Sequence, residues 1–381
     1  MKSEDITIAY LADGSSVHTE RFLEYFVERG YRVHLITYTP SKMKNVKIHN
    51  IATPRTMVPI RIVQTVNLIR KIRPSILHAF YVTNNGFVGA LSGFHPLVIT
   101  PLGSDITTDP ERSKILRFLV KFALRKADLV HAADTFFEKR LTELGCVPEK
   151  VFVQSFGVDT DLFSPEARSQ SLRKEIGIDG LYSVLCARWW TPTYGVEILV
   201  KAAPLVLKKV PCVKFILLGG GPLENRLRRL AKELGVYEKI LFVGKVPAEK
   251  MPSYLASIDL YVETISTYRA DSVGKVVKAR GESVLGQTNR EVMACGTPQI
   301  LSDMPSVKSS TWFRGLTYKQ LDYKDLAEKI VQLLSDTKLR ERIGEESRKT
   351  VVQAFAMDKT MRQWEKIYHD LCDARASNSK R

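Results

Sequence analysis

The sequence predicts an α/β protein of two doubly wound, Rossmann-like domains. Three observations lead there. The chain has 381 residues, enough for two domains of ordinary size. Short apolar runs alternate with helix-periodic stretches along its length, the order that builds parallel sheets. Once in each half, an apolar run ends in a glycine turn that opens a helix: ITIAYLA before Asp13-Gly14-Ser15-Ser16, and FILLGGG, ending at Gly221, before Pro222-Leu223-Glu224.

In the first half, residues 6–12 read as a buried strand. Ser15 or Ser16 caps the next helix, since either hydroxyl can accept a free N–H of the first turn. Phe22, Phe26 and Arg29 fall on one side of that helix, Gly30 ends it, and residues 32–38 form the next strand. Strand, glycine turn, helix and strand make a βαβ start that places the helix N-terminus at the carboxyl edge of the sheet. Residues 46–52, 76–80, 97–100, 128–133 and 151–156 read as further strands, and 60–72, 84–91, 112–126 and 135–144 as helices. In the second half the strands are 183–188, 215–221, 240–245, 259–263, 299–301 and 315–318. Its helices include 251–257, 322–334, 338–343 and 345–354, and an amphipathic helix at 358–372 carries Met361, Trp364, Ile367, Tyr368 and Leu371 on its apolar side. The expected domains are 1–164 and 165–357, with a polar, disordered tail at 373–381.

Composition narrows the class. Hydrophobic residues are 44% and charged residues 26%, which fits a folded globular chain. No signal-peptide pattern and no bilayer-length apolar run is present, and five scattered cysteines without C-x-x-C argue against a disulfide framework or a structural zinc. The expected location is cytoplasmic. The net charge is +16, and between Glu28 and Asp105 ten Lys or Arg occur with no acid. Such a field attracts phosphate, on lipid head groups or on a small anionic substrate. Exposed aromatics are not interleaved with the basic residues in a stacking pattern, so nucleic acid is not an expected partner.

The stretch GQTNREVMACGTP, residues 286–298, reads as a glycine turn, a short helix and a stop. At Gln287, Thr288 and Asn289, the first residues of that helix, the backbone N–H groups lack intrahelical partners. With the helix dipole they make a site for a diphosphate. Glu291, one turn in, can accept two hydroxyl hydrogen bonds, as from a ribose.

EVMACGTP resembles the E-A-M-A-C-G-x-P signature of glycosyltransferase family 4, retaining enzymes of the GT-B fold. GVDTDLFSP at 157–165 is similar to the family's crossing between domains, and the resemblance runs from residue 6 to about 371. It implies that the two domains face each other across a cleft, that the second binds a nucleotide diphospho-sugar and the first a glycan, lipid-linked or other anionic acceptor, and that the last helix crosses back onto the first domain. Neither a metal nor a cofactor beyond that co-substrate is expected. Arg188 matches the family's arginine on the donor diphosphate, but the expected lysine six positions on is Tyr194. A tyrosine hydroxyl can donate to phosphate, or Lys275, Lys278 or Arg280 of the long basic loop 264–285 can supply the charge. The family's paired glutamates lie eight positions apart, whereas Glu282 lies nine before Glu291; either the loop bulges and Glu282 reaches the sugar, or that role is lost. By this resemblance Arg188, Glu282 and Glu291 are the catalytic candidates, and Gly221, Gly286, Gln287, Thr288, Asn289 and Tyr194 complete the donor site. The alternative is a scaffold of the same fold that binds a nucleotide sugar or a partner protein without transfer.

For the acceptor the candidates are Gly14, Ser15 and His18 at the first turn, and Gly103 and Asp105 in the PLGSD loop. His18 is either a surface or capping histidine or an acceptor contact. Asp105 either caps a turn or accepts hydrogen bonds from sugar hydroxyls. Residues 112–126 (RSKILRFLVKFALRK) carry six basic residues and no acid. They suit a helix lying on an anionic membrane surface or one covering a sheet with a solvated basic back.

Overall fold

In the computed structural model, which describes residues 3–54, 56–265, 268–270, 276–278, 286–308 and 310–378, every run read as a strand lies in a parallel sheet. One unit is Met1–Ser155 with Lys359–Arg381, the other Phe156–Asp358. The first unit holds β1 (Thr7–Leu11), β2 (Arg32–Thr37), β3 (Lys47–Asn50), β4 (Ile76–Phe80), β5 (Leu97–Thr100), β6 (Leu129–Ala132) and β7 (Val151–Val153) in the order β3-β2-β1-β4-β5-β6-β7. The second holds β8 (Tyr182–Ala187), β9 (Val213–Leu218), β10 (Ile240–Gly244), β11 (Leu260–Glu263), β14 (Gln299–Ser302) and β15 (Leu316–Tyr318) in the order β10-β9-β8-β11-β14-β15. Between β11 and β14 the chain forms an antiparallel hairpin, β12 (Tyr268–Ala270) with β13 (Val276–Lys278), inside the expected loop 264–285.

Central parallel strands are covered on both faces, so they are continuously apolar rather than alternating. Ile8, Ala9, Tyr10 and Leu11 are fully buried, as are Val184 and Leu185 of β8. In the first unit α1 (Val17–Glu28) is capped by Ser16, α2 is Val58–Ile72 and α3 is Lys114–Lys126, capped by Ser113. In the second, α4 (Glu197–Lys209) packs on one face of the sheet, and α5 (Gln287–Ala294) buries Val292, Met293 and Ala294 on the other. Among the described residues, no helix is long and apolar enough to cross a membrane.

Three expectations are corrected. The unit boundary falls at 155/156, not 164/165, because residues 156–164 pack with the second unit. Val158 bridges Ala356, Phe163 is buried in that unit's core, and the Arg348 guanidinium donates to the carbonyls of Thr160, Phe163 and Ala294. The helices at 338–343 and 345–354 are one helix, α6 (Thr337–Phe355). Gly344 does not break it; it lets α6 approach another backbone, since a Cβ there would lie 2.2 Å from the Gly296 carbonyl oxygen. The last helix, α7, spans Met357–Asn378 and takes in most of the expected tail. Cys372 is buried, and Arg375 donates to the carbonyls of Pro74 and Ser75.

The first unit holds α7 with a buried cluster of rings. Trp364 packs against Phe22, His78, His131 and Phe152 with ring centroids 5.1–5.6 Å apart. Tyr368 Oη meets His78 Nδ1 at 2.5 Å and Tyr10 Oη at 3.2 Å, and His78 Nε2 meets Thr100 Oγ1 at 2.7 Å. His131 Nε2 donates to the Gln154 carbonyl at 2.5 Å. Burial lowers the pKa of both histidines, that of His131 to about 4.

This cluster makes the first unit acid-sensitive. Between about pH 4 and 6.5 the unfolded chain carries a proton on His131 that the folded chain does not. Stability is therefore full above pH 6.5 and falls as pH drops toward 4, by roughly 3 kcal/mol from His131 alone. Urea unfolding at pH 7 and pH 4.5 should show this loss, and His131→Phe should lose less over the same interval. An equal loss in the variant would assign the acid sensitivity elsewhere.

Candidate active site

The strand order of the second sheet reverses between β8 and β11. At such a point the connections leave in opposite directions, and a crevice opens beyond the carboxyl ends of the strands. A cavity of about 390 Å³ lies there. Its walls are Ala187, Arg188 and Trp189 after β8, Leu218 and Gly219 at the end of β9, Lys245 and Val246 after β10, and Tyr194, Met251 and Thr288.

Arg188 is the fixed charge of this cavity. Its guanidinium pairs with Glu263, the last residue of β11, whose side chain is 1% exposed. Burial works to lower the Arg188 pKa, and the Glu263 carboxylate outweighs it, so the pKa stays above the usual arginine value. Nη2 of Arg188 also donates to Asn289 Oδ1 at 3.1 Å, and the same oxygen accepts the Gly286 N–H at 3.1 Å. Asn289 Nδ2 donates to Gln299 Oε1 at 3.2 Å, and Gln299 Nε2 donates back to the Asn289 carbonyl at 3.1 Å. The side chain of Asn289 therefore ties the guanidinium to the start of α5 and to β14. Its N–H is not a free donor, because it bonds the Gly286 carbonyl at 3.1 Å. Among the described residues, the N–H groups of Gln287 and Thr288 meet no acceptor, as expected for a helix start. Gln287 Nε2 donates to the Gly157 carbonyl at 2.5 Å.

The other expected donor residues divide. Tyr194 is in the wall, its ring centroid 5.8 Å from the Arg188 guanidinium carbon. Glu291 is 7% exposed on α5 and does not line the cavity. Gly221 does not line it either. At φ 153° it lets the β8 and β9 loops meet, since a Cβ would lie 2.6 Å from the Trp190 carbonyl oxygen. Glu282, Lys275 and Arg280 lie outside the described residues, and Lys278 ends β13. Sequence reasoning missed Glu263, Trp189 and Lys245. Each stands at the carboxyl end of an apolar run, a position that a parallel sheet reserves for its ligand side. Lys245 is exposed, and its Nζ lies 4.4 Å from the centroid of the Trp189 ring. Among the described residues, no three His, Cys, Asp or Glu are grouped to hold a metal ion.

The first sheet reverses between β1 and β4, and the expected acceptor residues stand on loops that follow β1 and β5. Gly14 N–H donates to Thr37 Oγ1 and Thr39 Oγ1 at 2.9 and 3.0 Å. Ser15 donates from both N–H and Oγ to Asp13 Oδ1, which also accepts from Thr39. Asp13 thus organises the turn, and His18 follows it, exposed, in the first turn of α1. Asp105 is corrected. It is fully buried, and its two oxygens accept backbone N–H groups of Val82 (2.7 Å), Gly103 (2.8 Å) and Leu102 (3.1 Å). Burial pushes its pKa up to about 6 despite those donors. It pins the loop and offers nothing to a sugar. A further residue went unread in the sequence: Tyr81, after β4, has φ 79° and bonds Ser104 Oγ and Asp109 Oδ2 through its hydroxyl. Non-glycine residues held in this region are strained and gather at functional sites.

Residues 7–134 match the family described as "Glycosyl transferase 4-like", and residues 169–350 the family "Glycosyl transferases group 1". The chain is similar to the GDP-mannose-dependent alpha-(1-6)-phosphatidylinositol monomannoside mannosyltransferase of Mycolicibacterium smegmatis, 32% identical over 145 residues, 38% of this chain and 36% of that one. That alignment thus spans about a third of the relative's length. The N-acetyl-alpha-D-glucosaminyl L-malate synthase of Bacillus anthracis is 25% identical over 94% of each chain. Among solved structures, HepE of Anabaena in complex with UDP-glucose superimposes with a TM-score of 0.77 at 21% identity, over 96% of this chain and all of that one. Sucrose-phosphate synthase of Thermosynechococcus elongatus gives 0.78 at 19%, over 97% and 100%. At such identity the likeness establishes the fold, the two-domain GT-B fold.

Asp105→Asn tests the loop-pinning role. The amide replaces one acceptor oxygen by donors that face backbone N–H groups, and a buried mismatch of this kind costs about 1–3 kcal/mol. Urea unfolding at pH 7 should show that loss; unchanged stability would remove Asp105 from the loop's support.

Proposed function

The chain belongs to the family 4-like, group 1 glycosyltransferases, and from that membership we propose that it moves a hexose from a nucleotide diphospho-sugar to a glycan or lipid-linked acceptor, with retention of anomeric configuration. The observation that carries this reading is the cavity at the β8–β11 reversal, with Arg188 and the start of α5 in its walls. A diphosphate is the ligand such a wall suits: a buried, oriented guanidinium beside unbonded helix N–H groups. The relative from Mycolicibacterium smegmatis is named for GDP-mannose, and HepE was crystallised with UDP-glucose; both names support a nucleotide-sugar donor. In the proposed step the bond from the sugar's anomeric carbon to the diphosphate breaks and a bond to the acceptor oxygen forms on the same face. The acceptor's proton passes to the leaving diphosphate. Phosphate charge is met in part by Arg188 and the α5 dipole, with no cofactor beyond the nucleotide sugar and no metal. Ser15 and His18 are the proposed acceptor contacts.

The acceptor is proposed to reach the protein at a cytoplasmic membrane face. The support is α3, where Ile115 and Phe118 are 71% and 58% exposed among Lys114, Lys121 and Arg125, while Val120, Ala123 and Leu124 fill the core. Exposed apolar side chains flanked by lysine and arginine suit an anionic lipid surface.

Two measurements check this reading. Calorimetric titration with UDP, GDP, ADP and dTDP, without metal and then with magnesium, should show one nucleotide binding without metal. Glu291→Ala should weaken it by at least about tenfold through loss of charge-assisted hydrogen bonds to the ribose. Binding of none by a folded protein would favour a scaffold that carries no donor. Neutralising Lys114, Arg117 and Lys121 together should lower sedimentation with phosphatidylglycerol vesicles by roughly tenfold to a hundredfold. No change would make α3 a purely structural helix.

A further inference from the structure

The charge in the cavity does not balance a diphosphate. Arg188 is a cation, but its guanidinium is already paired with the buried Glu263 carboxylate, so the pair is formally neutral. Tyr194 stands where a second cation is wanted, and the remaining wall residues other than Lys245 are uncharged. A leaving diphosphate gains negative charge as its bond to the sugar breaks, and a site lacking a second positive group leaves that charge uncompensated.

Lys245 is placed to supply it. It follows β10 directly, at the carboxyl end of a parallel strand, and it lines the same cavity as Arg188. Its stem runs beside the glycine loop: a Cβ built on Gly220 would lie 3.8 Å from both Cγ and Cε of Lys245. Among the described residues its ammonium has no carboxylate partner and rests over the Trp189 ring. Such a cation–π contact at an exposed site is weaker than a charge-assisted bond to phosphate. The ammonium can therefore leave the ring when an anion enters, whereas Arg188 is locked by Glu263 and Asn289.

We propose that Lys245 is the second diphosphate-binding cation of this site, substituting for the lysine that Tyr194 displaces, with the Trp189 ring as its resting place. This rests on the reading of the cavity as a nucleotide-diphosphate site. The rival role for Lys245 is a contact to the nucleobase.

The test compares wild type, Lys245→Met and Lys245→Arg, with melting curves confirming that each is folded. Each is titrated with UDP, GDP, ADP and dTDP, with the monophosphate and nucleoside of whichever base binds, and with inorganic pyrophosphate. Lys245→Met should weaken the diphosphate and pyrophosphate by roughly tenfold to a hundredfold and leave the nucleoside unchanged. Lys245→Arg should hold the diphosphate within a few-fold of wild type. Equal losses for nucleoside and diphosphate would make Lys245 a base contact and overturn the proposal, as would undiminished diphosphate binding by Lys245→Met. If wild type binds neither a nucleotide nor pyrophosphate, the reading of the cavity fails and the inference falls with it.

Discussion

Burying Arg188 and Glu263 where the second sheet reverses its order constrains most of what surrounds them. Two charges withdrawn from water are tolerated only when each has a close partner and its remaining polar atoms are bonded. The structure meets that demand with one connected set: Arg188 after β8, Glu263 at the end of β11, Asn289 on α5 and Gln299 on β14. Each member comes from a different element, so the set fixes the carboxyl ends of the central strands and the start of α5 in one geometry. That rigidity is what a phosphate site needs, because donors oriented beforehand cost no reorganisation when charge arrives.

The same logic governs the first unit. Its buried polar groups are structural. Asp105 collects backbone N–H groups, and His78 and Tyr368 complete a chain of bonds from Thr100 to Tyr10 that seats α7. The polar groups left accessible stand at the carboxyl edge, notably His18 in the first turn of α1 after the Asp13 turn. In both units burial sorts the charged and polar residues into those that hold the scaffold and those that can meet a ligand.

Much of this was legible in the sequence. Continuous apolar runs marked the parallel strands because both sheet faces are covered, and the glycine turns marked the carboxyl edge of each sheet. GQTNREVMACGTP marked a helix start through its glycine turn and spacing, and Thr288 of that start stands in the cavity wall. Pairing across the fold was not legible. Nothing local in DLYVE says that Glu263 will meet Arg188, and nothing in PLGSD says that Asp105 will turn inward to Val82. Gly344 misled because its purpose is the close approach of Gly296, a contact between distant segments, and a glycine that serves packing reads the same as one that stops a helix. The tail misled because its polarity hides Arg375, which bonds the carbonyls of Pro74 and Ser75.

The strongly basic chain therefore contains cations of two kinds. Arg188, Arg173 and Arg348 are committed: each donates to carboxylates or carbonyls inside its unit, and arginine's fixed fork suits such posts. Lys245 on its flexible stem is a different instrument, exposed and, among the described residues, resting over an aromatic face. A site built from one of each separates two requirements that a single residue meets poorly. In the proposed site the locked guanidinium sets where a diphosphate lies, and the mobile ammonium adds charge only once the anion is there. Tyr194 in place of lysine then does not leave that site short of charge, because Lys245 brings it from the end of β10, two strands from β8.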